Sequence, residues 1–175
     1  ALGLANQFGM GRIVLYNSYQ APVTVDPMVP TVQLLDMDLL KQSSDECLYE
    51  SKAVLLKTSI GTGVQIDCFS EYNALAAGIK DLCKTIGANL IVMGITGGGA
   101  LTETLIGSNA VSVSLHSEIP VVIVPPDASY RPIKKILLAC DFKKILSTTP
   151  VSLLKQLLDN SSAELHVLHV NTPNE

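Results

Sequence analysis

The sequence predicts an α/β fold on a mostly parallel sheet, and three observations carry that expectation. Short apolar, β-branched runs alternate with longer stretches of 3.6-residue periodicity. Two of the runs, "NLIVMG" (89–94) and "IPVVIVPP" (119–126), are apolar without interruption, the pattern of strands covered on both faces. Hydrophobic residues make up 47% of the 175 residues but aromatics only 5%, with no Trp, so the core must be built from Val, Ile, Leu and Ala.

The elements follow in order. "RIVLYNSY" (12–19) comes after Gly9 and Gly11 and reads as a strand. Pro22, Pro27 and Pro30 make the next stretch extended. A helix is expected from Val32 to Thr58, where Leu35, Leu39, Leu40, Cys47, Leu48, Val54 and Leu55 recur near the helical period; Gly61 and Gly63 end it. "VQIDCF" (64–69) is a strand, and Asn73 to Ile86 an amphipathic helix stopped at Gly87. The strand at 89–94, a short helix at 108–115 and the strand at 119–126 complete the alternation. After the proline-bounded linker "DASYRP" (127–132) come a strand "KKILLACDF" ending near Asp141, a helix from Pro150 to Leu158 and a strand "ELHVLHVN".

That last unit matches the start of the chain in pattern. Shifted by 152 positions, "AELHVLHVNTP" lies over "GRIVLYNSYQA", and Leu153, Leu154 and Leu157 lie over Ala1, Leu2 and Ala5. The offset implies two tandem copies of one domain, 1–126 and 133–175 joined by 127–132. The first copy then has no counterpart of "KKILLACDF", and the second stops after its second strand, as expected of an excerpt of a longer protein.

A formal net charge of −4 without a basic cluster argues against nucleic acid, which needs a concentrated Lys/Arg footprint. Cys47, Cys68, Cys83 and Cys140 show neither CxxC nor metal-type His spacing, so buried thiols are expected and a metal or redox site is not. No apolar run approaches the roughly 20 residues that span a bilayer, and a soluble, cytoplasmic protein without membrane contact is the expectation.

The chemistry concentrates in "IVMGITGGGALTETLIGSN" (91–109). Glycines at the carboxyl end of a parallel strand, leading to a helix start, lie where open α/β sheets take ligands. Main-chain N–H groups and the positive end of a helix dipole suit an anion such as phosphate. On this reading Gly94 and Gly97 turn the chain after the strand, and Gly107 lets backbone approach the ligand. A P-loop is excluded because no lysine lies between Lys84 and Lys134, and the dinucleotide fingerprint fails because "GGGALT" breaks at Thr102. A glycine-rich surface loop stays open as the alternative.

The spacing Gly94, two residues, Gly97, nine residues, Gly107, Ser108 resembles the ATP-binding signature of the universal stress protein family. The following "GSNAVSVSLHSEIPVVIVPP" resembles that family's short helix, His-Ser turn and final apolar strand. The resemblance implies an open, mostly parallel five-stranded, Rossmann-like sheet with helices on both faces, followed by part of a second copy. It implies ATP, with Mg2+, as cofactor. Gly94 and Thr96 would line the ribose and phosphates; Gly97, Gly107, Ser108 and Asn109 would hold phosphates; Met93 would lie beside the nucleoside. Two further positions come from the strand ends, Ser18 at the second strand of the first copy and Asp141 at the first strand of the second. Whether Asp141's strand is swapped into the glycine-bearing domain stays open.

By the same resemblance the partners are an adenine nucleotide and either a second copy or the other domain, paired through the strand at 120–125. No catalytic residue stands out. Glu103 is read as a solvated carboxylate, His116 as structural, and the helix faces with "KQSSDE" and "YESK" as solvated surface. A nucleotide-binding regulatory protein is therefore the leading expectation, with a slow ATP hydrolase or phosphotransferase, or a nucleotide-independent scaffold, as alternatives.

Overall fold

A computed structural model of the chain describes residues 1–20, 36–59, 61–95, 107–140 and 151–169. The chain forms two compact units, one of residues 12–128 and one of residues 1–11 with 129–175. In both, parallel strands alternate with helices, as the α/β reading expects.

The 12–128 unit opens with β1 (Arg12–Tyr19), followed by α2 (Met37–Thr58) and β2 (Gln65–Tyr72); α1 (Leu2–Gln7) belongs to the other unit. β1 and β2 pair in parallel from Arg12↔Gln65 to Tyr19↔Tyr72, and α2 packs on both. Parallel neighbours need a crossover, and a 22-residue helix supplies it. Of the helix expected from Val32, residues 32–35 lie outside the described residues. Its start is at Met37, where Asp36 accepts from the N–H groups of Asp38 and Leu39 at 3.0 and 3.3 Å. Leu48 of α2 and Ile66 of β2 are buried between helix and strands, each burial being worth about 1.5–3 kcal/mol.

Then α3 (Leu75–Ile86) packs on β1 and ends at Gly87, whose φ of +64° places it in the left-handed region that closes helices at low cost. Gly78 of α3 is buried because the Tyr16 hydroxyl occupies the space a Cβ would take. A second crossover unit follows: β3 (Ile91–Gly94), α4 (Ser108–His116) and β4 (Val121–Val124), with β3 and β4 parallel from Ile91↔Val121 to Gly94↔Val124. Ala110 and Val113 put the buried face of α4 into the core. The strands expected to be fully covered, β3 and β4, are half-buried instead, since each pairs with a single strand among the described residues.

In the other unit, β5 (Lys135–Ala139), α5 (Val151–Ser161) and β6 (Glu164–Leu168) make a third parallel pair, Lys135↔Glu164 to Ala139↔Leu168. The helix runs three residues beyond the expected Leu158. The sequence pattern gave no helix at the start of the chain, yet α1 (Leu2–Gln7) forms there and buries Leu4, Ala5 and Phe8. It precedes β1 in the chain as α5 precedes β6. Gln7 fastens it: its amide nitrogen donates to the Ile133 carbonyl, and its oxygen accepts from the Ile133 N–H and the Tyr130 hydroxyl, all within 3.0 Å. The Tyr130 ring lies against Gly3, which has no room for a side chain.

Candidate functional site

The carboxyl end of β3 and the start of α4 meet. Ile95 extends the ladder beyond Gly94, its N–H donating to the Val124 carbonyl at 3.1 Å. The carbonyl of the same residue accepts from the Gly107 N–H at 2.9 Å. The chain therefore re-enters at the point where it left the strand, with α4 starting one residue later.

Gly107 is the N-cap of α4 and offers no side chain to cap it. The first helical hydrogen bond runs from the Val111 N–H to the Gly107 carbonyl at 3.1 Å. The N–H groups of Ser108, Asn109 and Ala110 precede that bond and so have no acceptor within the helix itself, and Ser108 and Asn109 are exposed. No acidic residue lies in this first turn. A helix end of this kind carries about half a positive charge, which suits an anion.

Gly94 departs from its expected role. It is the last paired residue of β3, its φ is not positive, and a Cβ built on it would meet no atom within 4 Å. Neither its backbone conformation nor a neighbour among the described residues requires glycine there. Gly107 likewise has an extended conformation, φ −57° and ψ 145°, that any residue adopts.

The sequence-derived residues divide into three groups. Met93, Gly94, Gly107, Ser108 and Asn109 stand at the junction of β3 and α4, Met93 half-buried in register with Ile123. Ser18, half-buried, lies at the carboxyl end of β1 in register with Glu71, on a different strand pair of the same unit. Thr96, Gly97, Glu103 and Asp141 lie outside the described residues. His116, at the end of α4, has Nδ1 2.7 Å from the Ser112 carbonyl.

Sequence reasoning missed two polar groupings elsewhere in this unit, on β1, α2 and β2. Ser44, on a helix face read as solvated, is only 4% exposed. Its hydroxyl accepts from the Asn17 side-chain amide at 2.8 Å and lies 2.7 Å from the Ser70 hydroxyl, tying α2 to both strands. Tyr16 donates to Glu71 at 3.1 Å, and burial together with that carboxylate pushes its phenol well above the ordinary range. The lone signal for the first was a serine pair on a helix otherwise charged on that side. The thiols also differ from expectation: none of the four is in a disulfide, but Cys47 is exposed and the others half-buried. Among the described residues no metal-type cluster occurs, and no helix is long and apolar enough to cross a membrane.

Comparison with known proteins follows the same lines. Solved structures that match include a universal stress protein from Archaeoglobus fulgidus, with a TM-score of 0.68 and 19% identity over 99% of this chain and 62% of that one. This chain thus spans 62% of that relative's length. Another is the universal stress protein UspA from Lactobacillus plantarum, at 16% identity and a TM-score of 0.47, covering 70% of this chain and 83% of that one. No curated protein matches the chain. The model of the universal stress protein family matches residues 15–125, well over half of the sequence, and the chain belongs to that family.

Proposed function

We propose that this universal stress protein is an ATP-binding regulator that acts through association and not through catalysis. Family membership carries the stress-response role; the nucleotide is the further step. The observation that carries it is the uncapped, exposed start of α4 held directly beyond β3 by the Gly107–Ile95 hydrogen bond. Open space at Gly94, where no atom of the described residues asks for a glycine, supports a ligand's close approach.

In this reading the N–H groups of Ser108 and Asn109 and the Ser108 hydroxyl take phosphate oxygens, with Gly97 and Gly107 giving backbone access. Gly94 and Thr96 line the ribose and phosphates. Met93 packs beside the nucleoside, Ser18 supplies the second-strand position, and Asp141 belongs to the equivalent site of a second domain. Bound Mg2+ supplies counter-charge to the phosphates. No lysine or arginine lies between Lys84 and Arg131, so the loop offers no cation to stabilise phosphoryl transfer, which favours binding over turnover. Residues 1–126 and 133–175 are proposed as members of a tandem pair, with the strand at 120–125 pairing with another domain or copy in the cytoplasm.

Calorimetric titration with Mg-ATP tests the reading. Binding with slow or absent phosphate release is expected, and Gly107→Val, which crowds the start of α4, should weaken it by more than about tenfold. No heat from the unaltered protein, or rapid phosphate release, would overturn it.

A further inference from the structure

A second candidate site lies on the 12–128 unit, between α3 and the turn that joins α4 to β4. Ile79 and Cys83 of α3, Ile91 of β3, Val113 of α4 and Ile119 of the turn line a crevice of about 100 Å³. The walls are apolar, and partial burial there raises the Cys83 thiol above its ordinary range. At the mouth, Lys80 and Lys84, one turn apart on α3, converge on one atom: their ammonium groups lie 3.2 and 3.3 Å from Glu118 Oε1. Two cations on one carboxylate leave an unbalanced positive charge beside an apolar cleft, and they hold the Glu118 carboxyl below its usual range. The protein's own carboxylate thus shows how an anionic head is received there.

We infer that this crevice binds a small amphipathic carboxylate, its alkyl tail among Ile79, Ile91, Val113 and Ile119 and its head on Lys80 and Lys84. Size sets the class. An apolar cavity of about 150 Å³ holds benzene, so this one takes a tail of about four carbons, with any remainder in the open mouth. Charge sets the head: an alcohol makes only a neutral-acceptor hydrogen bond to the lysines where a carboxylate makes an ion pair, and acetate has no tail to bury. Glu118 is a competitor for the same ammonium groups, so removing its charge favours the ligand.

The probe is hexanoate, titrated into the full chain with its isoleucine methyl groups observed by NMR. Shifts confined to Ile79, Ile91 and Ile119 are expected, with a dissociation constant in the millimolar range. Hexanol and acetate should each bind at least about tenfold more weakly, Glu118→Gln should tighten hexanoate about threefold, and Lys80→Gln or Lys84→Gln should weaken it by a similar factor. These side chains are largely exposed, so the variants keep the fold. Absence of shifts, shifts centred elsewhere, hexanol matching hexanoate, or no gain in Glu118→Gln would each overturn the inference. Mg-ATP binding plays no part in these readouts.

Discussion

The β1–α2–β2 and β3–α4–β4 units share one design, a parallel strand pair joined by a helix, yet the two helices begin in opposite ways. The start of α2 is closed: Asp36 takes two of its N–H groups, and Asp38 adds a second negative charge in the first turn. The start of α4 is open among the described residues: its N-cap is a glycine, which has no side chain to cap it, and no acid lies in its first turn. Both helix ends carry the same partial positive charge. One neutralises it internally for stability, and the other leaves it exposed just beyond the carboxyl end of β3. The fold supplies the dipole in both places, and the residues at the cap decide which one is available to an anion.

The sharpest way to break that comparison is to give α4 the cap of α2. Gly107→Asp fits the backbone, which is already extended, and the carboxylate should occupy the free N–H groups and repel phosphate. Mg-ATP affinity is expected to fall by about a hundredfold while stability rises by about 1 kcal/mol, measured by calorimetry and by denaturant unfolding of the same sample. A loss of affinity accompanied by a loss of stability would point to damage and away from anion competition.

Next in size is Gly78→Ala, which tests packing away from the helix ends. The new methyl collides with the Tyr16 hydroxyl, and destabilisation of about 2 kcal/mol is expected in urea. Tyr16→Phe in the same chain should recover most of it, and failure to do so would mean that the hydroxyl is not the obstacle.

The smallest expected effect concerns the opposite ends of the strands. The Arg12 guanidinium, 2.7 Å from Asp67 Oδ2 and reinforced by Gln65, holds the Asp67 carboxyl below the usual carboxylate range. A depressed folded pKa means that the contribution is present above about pH 4 and is lost as the pH falls through the folded value. The pair is exposed, so salt should shrink the effect. Stability followed between pH 5 and about pH 2 should drop less steeply in Arg12→Gln; identical slopes would show that the ion pair contributes nothing.

Most of the alternation was legible in the sequence because it rests on local signals. Uninterrupted apolar runs gave β3 and β4, the spacing of Leu75, Ile79, Leu82 and Ile86 gave α3, and Gly87 gave its end. The candidate site was half legible. Glycine spacing pointed to Gly94, Gly107 and Ser108, but the reason assigned to Gly94 was a turn, and the structure shows a paired strand residue with open space beside it. A glycine announces that something needs room, and the sequence does not say what.

What the sequence determined by itself, then, is the order and type of the elements from β1 onward and the residues gathered at the end of β3, since periodicity, proline and glycine act over a few positions. Tertiary structure alone decided the rest. It buried Ser44 in a hydrogen-bonded link between α2 and two strands, fastened α1 to residues 130–133 through Gln7, and drew Lys80, Lys84 and Glu118 together at the mouth of an apolar crevice. Each of these joins residues at least 26 positions apart, and contacts of that range depend on where the chain returns in space, which no local pattern records.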